Sequence, residues 1–118
     1  MSLNTGTPLI AEARAENGAL VAKLAGDLSI VNAPELRVAL ANLVEDQKPG
    51  KVVLNFSDVR YVDSGSLGVL IETHKLATKH GGNVVLTNLT KELRGLISIM
   101  KLDAVFTLAD DEAAALAG

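Results

Sequence analysis

A chain of 118 residues that is 48% hydrophobic but only 3% aromatic has to build one domain core from Leu, Val, Ile and Ala, and it is long enough to do so without metal or disulfide staples. Its formal net charge is −3 and its basic residues form no cluster, so the footprint expected of a nucleic-acid surface is missing. The absence of Cys excludes disulfides, thiolate nucleophiles and Cys-ligated metals. No run approaches the roughly 18 apolar residues of a membrane span, and the start lacks a signal-peptide pattern, so the expectation is a soluble, cytoplasmic protein without membrane insertion.

Residues 1–118 read as a single domain with a flexible lead-in over 1–8. Leu9–Ala15 and Ala19–Leu24 are short apolar-rich runs separated by Glu16-Asn17-Gly18, and the Asn-Gly pair predicts an antiparallel hairpin. Leu36, Leu40, Leu43 and Val44 recur at helical spacing, with Asn32 placed to cap and Pro34 suited to the first turn, which predicts a helix over about 33–46. Lys48-Pro49-Gly50 stops it. A strand over 51–56 leads through an Asp63–Gly68 junction into a second helix, which runs to about Lys79 and ends at Gly81-Gly82.

Asn83–Thr87 predicts another strand, and the strand–helix–strand order implies a right-handed parallel crossover. Thr90 is placed to cap a third helix whose Leu93, Leu96, Ile97 and Met100 form one stripe. Ala104–Leu108 predicts a last short strand, and Asp110-Asp111-Glu112 carries acids in what would be a helical first turn. The fold class is therefore α/β, a mixed and mainly parallel sheet of four or five strands with packed helices.

The segment Val59-Arg60-Tyr61-Val62-Asp63-Ser64-Gly65-Ser66-Leu67-Gly68-Val69-Leu70 puts an acid, two serines and two glycines where a strand becomes a helix. The first N–H groups of a helix have no internal partners and favour an anion by about 0.3–1 kcal/mol at exposed sites. Ser64 is thus a place for a phosphate to be attached or bound, although Asp63-Ser64 equally suits a plain helix cap. Tyr61 and Val62 either present apolar surface beside it or fill the core.

Ser64-Gly65-Ser66-Leu67-Gly68 is a near miss to the G-x-S-x-G nucleophile elbow. The histidines, His74 and His80, would lie roughly 12 and 21 Å up the same helix from Ser66, well beyond hydrogen-bond reach, so no serine hydrolase is expected. P-loop and dinucleotide glycine spacings are absent, and no cofactor is expected.

With that element order and the run Val53-Leu54-Asn55-Phe56-Ser57-Asp58-Val59-Arg60-Tyr61-Val62-Asp63-Ser64, the chain resembles the STAS-domain anti-sigma factor antagonists of bacteria, from about Leu20 to Leu116. The resemblance implies a SpoIIAA-like fold and no catalysis of its own. It makes Ser64 the residue phosphorylated by a partner that is both anti-sigma factor and GHKL-type serine kinase, with a PP2C-type phosphatase as the resetting enzyme. The unmodified protein would bind that partner and free a sigma factor.

Where familiar members read Asp-Ser-Ser-Gly-Leu-Gly, this chain has Asp63-Ser64-Gly65-Ser66-Leu67-Gly68, which makes Ser66 the alternative acceptor. Gly26-Asp27-Leu28-Ser29 replaces the frequent Gly-Glu-Leu-Asp. Asp63, Gly65, Ser66, Leu67 and Gly68 are the expected docking residues, with Asp27, Ser29 and Asn32 as the rim. Two other classes remain open: an unphosphorylated scaffold or transporter-associated STAS module, and a nucleotide-binding domain using the same helix start.

Overall fold

A computed structural model describes residues 2–117. Five strands form one sheet in the order β1-β2-β3-β4-β5: β1 Ile10–Glu16, β2 Ala19–Leu28, β3 Lys51–Val62, β4 Asn83–Thr87 and β5 Thr107–Ala109. The β1/β2 pair is antiparallel and the other three pairs are parallel. Asn17 and Gly18 turn the hairpin with φ of 50° and 80°, the doubly left-handed geometry that the Asn-Gly pair allows.

Three helices, α1 Ala33–Gln47, α2 Ser64–Lys79 and α3 Lys91–Ile99, line one face. Alternation along the strands sends Leu20, Ala22, Leu24, Val52, Leu54, Val84 and Leu86 toward them. Leu36, Leu40, Val44, Leu67 and Leu70 close this core from the helix side. Because α1 and α2 each follow a strand of the parallel sheet, both helices start at the same edge, the one where β2 and β3 end.

The opposite face is covered by α4, Glu112–Ala117, whose Ala115 packs on Val21, Val53 and Val85. These valines lie side by side in register across three strands. Asn55, buried in β3 on the same face, donates to Glu112 Oε2 at 2.7 Å, and Arg14 of β1 reaches Glu112 Oε1 at 2.9 Å. Burial pushes the Glu112 carboxyl up, but the Asn55 amide and the Arg14 guanidinium outweigh it and hold the group below its ordinary value.

A carboxyl lowered in the folded state contributes stability that is complete above its unfolded pKa and is lost as pH falls through the folded one. Glu112→Ala, which also leaves the Asn55 amide without its acceptor, is expected to cost about 2 kcal/mol at pH 7. The difference from wild type should shrink below about pH 4.5, as read by urea unfolding at several pH values.

Several boundaries differ from those the sequence predicts. β3 continues six residues past Phe56 because β2 also runs on, pairing Asp27 with Tyr61 and Leu28 with Val62 after two register shifts. The strand predicted over 104–108 is a 3-10 turn, Leu102–Ala104, followed by β5 at Thr107–Ala109; Lys101 takes φ 60°, and Leu102 and Phe106 turn into the core. Met100 caps α3 and is exposed, so the buried stripe is Leu93 and Ile97 with Leu96 half-buried.

Within the stretch expected as a lead-in, Leu3 donates its N–H to the Ala13 carbonyl at 2.8 Å. Thr7 is buried and its hydroxyl donates to Glu35. Met1 lies outside the described residues, as does Gly118 at the other end.

Candidate functional site

The junction between β3 and α2 is organised by Asp63. Its backbone is extended (φ −105°, ψ 176°), and its N–H continues the sheet by donating to the Leu28 carbonyl at 3.1 Å. One carboxylate oxygen accepts the Ser66 N–H at 3.0 Å, which caps α2; the other accepts the Ile30 N–H at 3.0 Å, which ties in the β2–α1 loop. The Ser66 and Ile30 amides, in that order, hold the Asp63 carboxyl below its ordinary value, because both donate to its ionised form.

The two serines have opposite fates. Ser66 is 0% exposed, and its hydroxyl lies 3.0 Å from the Leu28 carbonyl and 2.9 Å from that of Asp63, so it is spent on holding β2 against the helix start. Ser64 is exposed at the first position of α2 and its hydroxyl makes no hydrogen bond among the described residues. Since Asp63 does the capping, Ser64 is not needed for it.

The other candidate residues separate into surface and support. Leu67 is buried in the core and anchors α2 from below. Gly65 sits against the loop: a Cβ there would lie 2.8 Å from Ile30 Cβ and 3.1 Å from Ile30 Cα, so glycine is required by close approach. A Cβ on Gly68 would meet nothing within 4 Å.

Asn32 starts α1 without a side-chain cap; its carbonyl oxygen accepts the Ser29 N–H at 2.9 Å and its amide donates to the Asp27 carbonyl at 2.8 Å. Ser29 Oγ accepts the Val31 N–H at 3.2 Å. Ser29 and Asn32 therefore fold the loop, while Asp27 is exposed with its carboxylate 3.5 Å from Arg60 Nε.

The tip of that loop is apolar, a feature that the polar motif does not reveal. Ile30 and Val31 are 70% and 87% exposed at its tip, and Tyr61 is 54% exposed on the strand entering the site, whereas Val62 is buried. The signal was present as two adjacent β-branched residues between a strand end and a helix start, where a turn ordinarily places polar ones. Neither histidine belongs to the site: His80 Nε2 lies 3.3 Å from Glu45, and His74 stands edge-on to Phe106.

The STAS domain model matches residues 11–115. The chain belongs to the STAS domain family. The anti-sigma-B factor antagonist of Bacillus subtilis (strain 168) is 35% identical over 86 residues, which is 73% of this chain and 77% of that protein. The crystal structure of an anti-sigma factor antagonist from Mycobacterium paratuberculosis superposes with a TM-score of 0.79 at 25% identity, covering 99% of this chain and 91% of the other.

A Thermotoga maritima crystal structure covers 89% and 90% of the two chains with a TM-score of 0.81 at 22% identity, a likeness of fold. In this STAS domain, the junction between β3 and α2 joins an exposed serine, a clamping aspartate and an apolar loop at one sheet edge. No helix among the described residues is long and apolar enough to cross a membrane.

Proposed function

We propose that the chain is an anti-sigma factor antagonist: unmodified, it binds an anti-sigma factor and so frees a sigma factor, and a phosphate on Ser64 ends that binding. The reading is carried by one contrast, that Ser64 is exposed and uncommitted while Ser66 is sealed beneath it. A kinase needs its acceptor hydroxyl free to reach the γ-phosphate, and only the first serine offers that without unwinding the helix start. The names of the relatives point the same way.

The partner that fits is an anti-sigma factor that is also a GHKL-type serine kinase, and a PP2C-type phosphatase would reset the switch. The chain is then a substrate and a ligand in the cytoplasm rather than a catalyst. Asp63 orients the loop and adds negative charge beside the modified serine.

The test is intact-mass and phosphopeptide analysis after incubation with ATP and each purified anti-sigma kinase of the source genome. One phosphate on the wild-type chain, absent from Ser64→Ala, is the expected result. A phosphate retained by Ser64→Ala and found on Ser66 would move the acceptor by two residues. No phosphate from kinases that modify other antagonists would leave the chain an unmodified STAS scaffold.

A further inference from the structure

α4 covers the sheet face remote from the other helices with very little of its own surface. It has six residues, of which Ala115 is buried and Leu116 half-buried, while Ala113, Ala114 and Ala117 are exposed. Helices shorter than about 12 residues do not persist alone in water, so this one owes its form to docking. Yet two open grooves, of about 430 and 260 Å³, flank it: Val85 and Ala109 line the first beside Ala115, and Ala19 lines the second beside Leu116. What holds α4 is mainly polar. Glu112 accepts from Arg14 and Asn55 at its start, and Lys51 Nζ donates to the Ala115 carbonyl at 2.7 Å toward its end.

Beneath the start of α4 lies a group that the docked arrangement leaves unsatisfied. Thr87 is 0% exposed, and its hydroxyl finds no partner among the described residues. It stands in register with Asn55, the residue that holds Glu112, and two residues beyond Val85 on the same strand, which places it on the α4 face. A buried hydroxyl without a partner opposes the state that buries it, by about tenfold in the equilibrium constant. Water reaching Thr87 would relieve that strain, and the way for it to arrive is for α4 to lift.

We propose that α4 is a latch, which opens as a unit while the sheet and α1, α2 and α3 stay folded, with Glu112 as its catch and the Thr87 hydroxyl biasing it toward release. Segments with few buried apolar contacts occupy the low-stability end of a structure and open below the global transition. The open state bares the row Val21, Val53 and Val85. None of the latch residues belongs to the Asp63–Ser66 junction, so that site stays formed when α4 is released, and the latch does not depend on the reading of Ser64.

The experiment is amide hydrogen exchange of the folded protein read by NMR, in the regime where protection reports the opening equilibrium, for wild type, Glu112→Gln and Thr87→Val. The Ala114 and Ala115 amides both donate to Asp111 and report on α4, and Leu54 in the central strand reports on the whole fold. In wild type, protection at Ala114 and Ala115 is expected to be lower than at Leu54 by about 100-fold or more. Glu112→Gln should lower protection about tenfold and Thr87→Val should raise it about tenfold, in each case by the same factor at Ala114 and Ala115 as at Leu54. The factors match because the open state and the unfolded chain both release Glu112 and both hydrate Thr87.

Equal protection of Ala115 and Leu54 in wild type would mean that α4 leaves only when the domain unfolds. A change at Leu54 without one at Ala115 would mean that the helix frays over an intact catch. Either result overturns the latch, and so does a Thr87→Val chain with protection unchanged at both positions. If Thr87→Val fails to fold, Glu112→Gln decides by the same comparison of Ala115 with Leu54.

Discussion

A phosphate on Ser64 is expected to lower the affinity for the anti-sigma factor by about 100-fold or more, which requires only about 2.7 kcal/mol. The modified group carries −1.5 to −2 charges at neutral pH and three acceptor oxygens. It would stand beside the Asp63 carboxylate, which is committed to its ionised form by two backbone amides. In an interface both charges lose water, and their mutual repulsion grows as the local dielectric falls.

The fold itself should be indifferent to the modification, since Ser64 is exposed and a helix N-terminus tolerates negative charge. Calorimetric titration of the unmodified and stoichiometrically phosphorylated forms would check the affinity, and their amide spectra should differ only around residues 28–32 and 61–68. Because repulsion of this kind is partly screened, the ratio of the two affinities should narrow as salt rises. An affinity for the phosphorylated form within threefold of the unmodified one would remove Ser64 as the switch.

The elements legible in the sequence were those whose cause is local. The hairpin follows from the conformational freedom of Asn17 and Gly18, and the three longer helices from periodic leucines between turn residues. What stayed hidden depends on partners distant in the chain. β3 runs to Val62 because β2 offers it a neighbour through Leu28, a fact about residues more than thirty positions apart. The third helix was foreseen, but the break after it rests on Lys101 entering a left-handed conformation so that Phe106 can bury.

At the site, the motif located Asp63 and Ser64, but spacing alone left the jobs of the two serines open. Their difference arises from the Leu28 carbonyl, which lies beneath Ser66 and out of reach of any local pattern. Asn32 shows the same limit: a residue placed to cap a helix instead ties Ser29 to Asp27 and shapes the loop that carries Ile30 and Val31.

Gly65→Ala is expected to destabilise the domain although alanine is the better helix former, and to disable partner binding while the fold survives. A Cβ at 65 would come within 2.8 Å of Ile30 Cβ and 3.1 Å of Ile30 Cα, and the second of these is backbone that no rotamer change can remove. The loop must therefore retreat. In retreating it stretches the Ile30 N–H bond to Asp63, the bond that fixes the apolar tip relative to Ser64. Overpacking of this kind costs about 1–3 kcal/mol, against a helix-propensity gain of about 0.5–1 kcal/mol, so the midpoints leave a net loss of about 1 kcal/mol.

Gly68→Ala, three residues on, meets no atom and should instead gain the propensity term. Opposite signs for the same substitution in the first two turns of one helix would separate close approach from intrinsic preference, as read by urea unfolding of both variants. Hydrogen exchange at the Ile30 amide should accelerate in Gly65→Ala and not in Gly68→Ala. Combining Gly65→Ala with Ile30→Gly removes the two closest contacts but not the Cα, so part of the lost stability should return, whereas the apolar tip and its contribution to binding would not. Equal stability of Gly65→Ala and wild type would mean that the loop is free to move, and that Asp63 does not hold it in register with the serine it flanks.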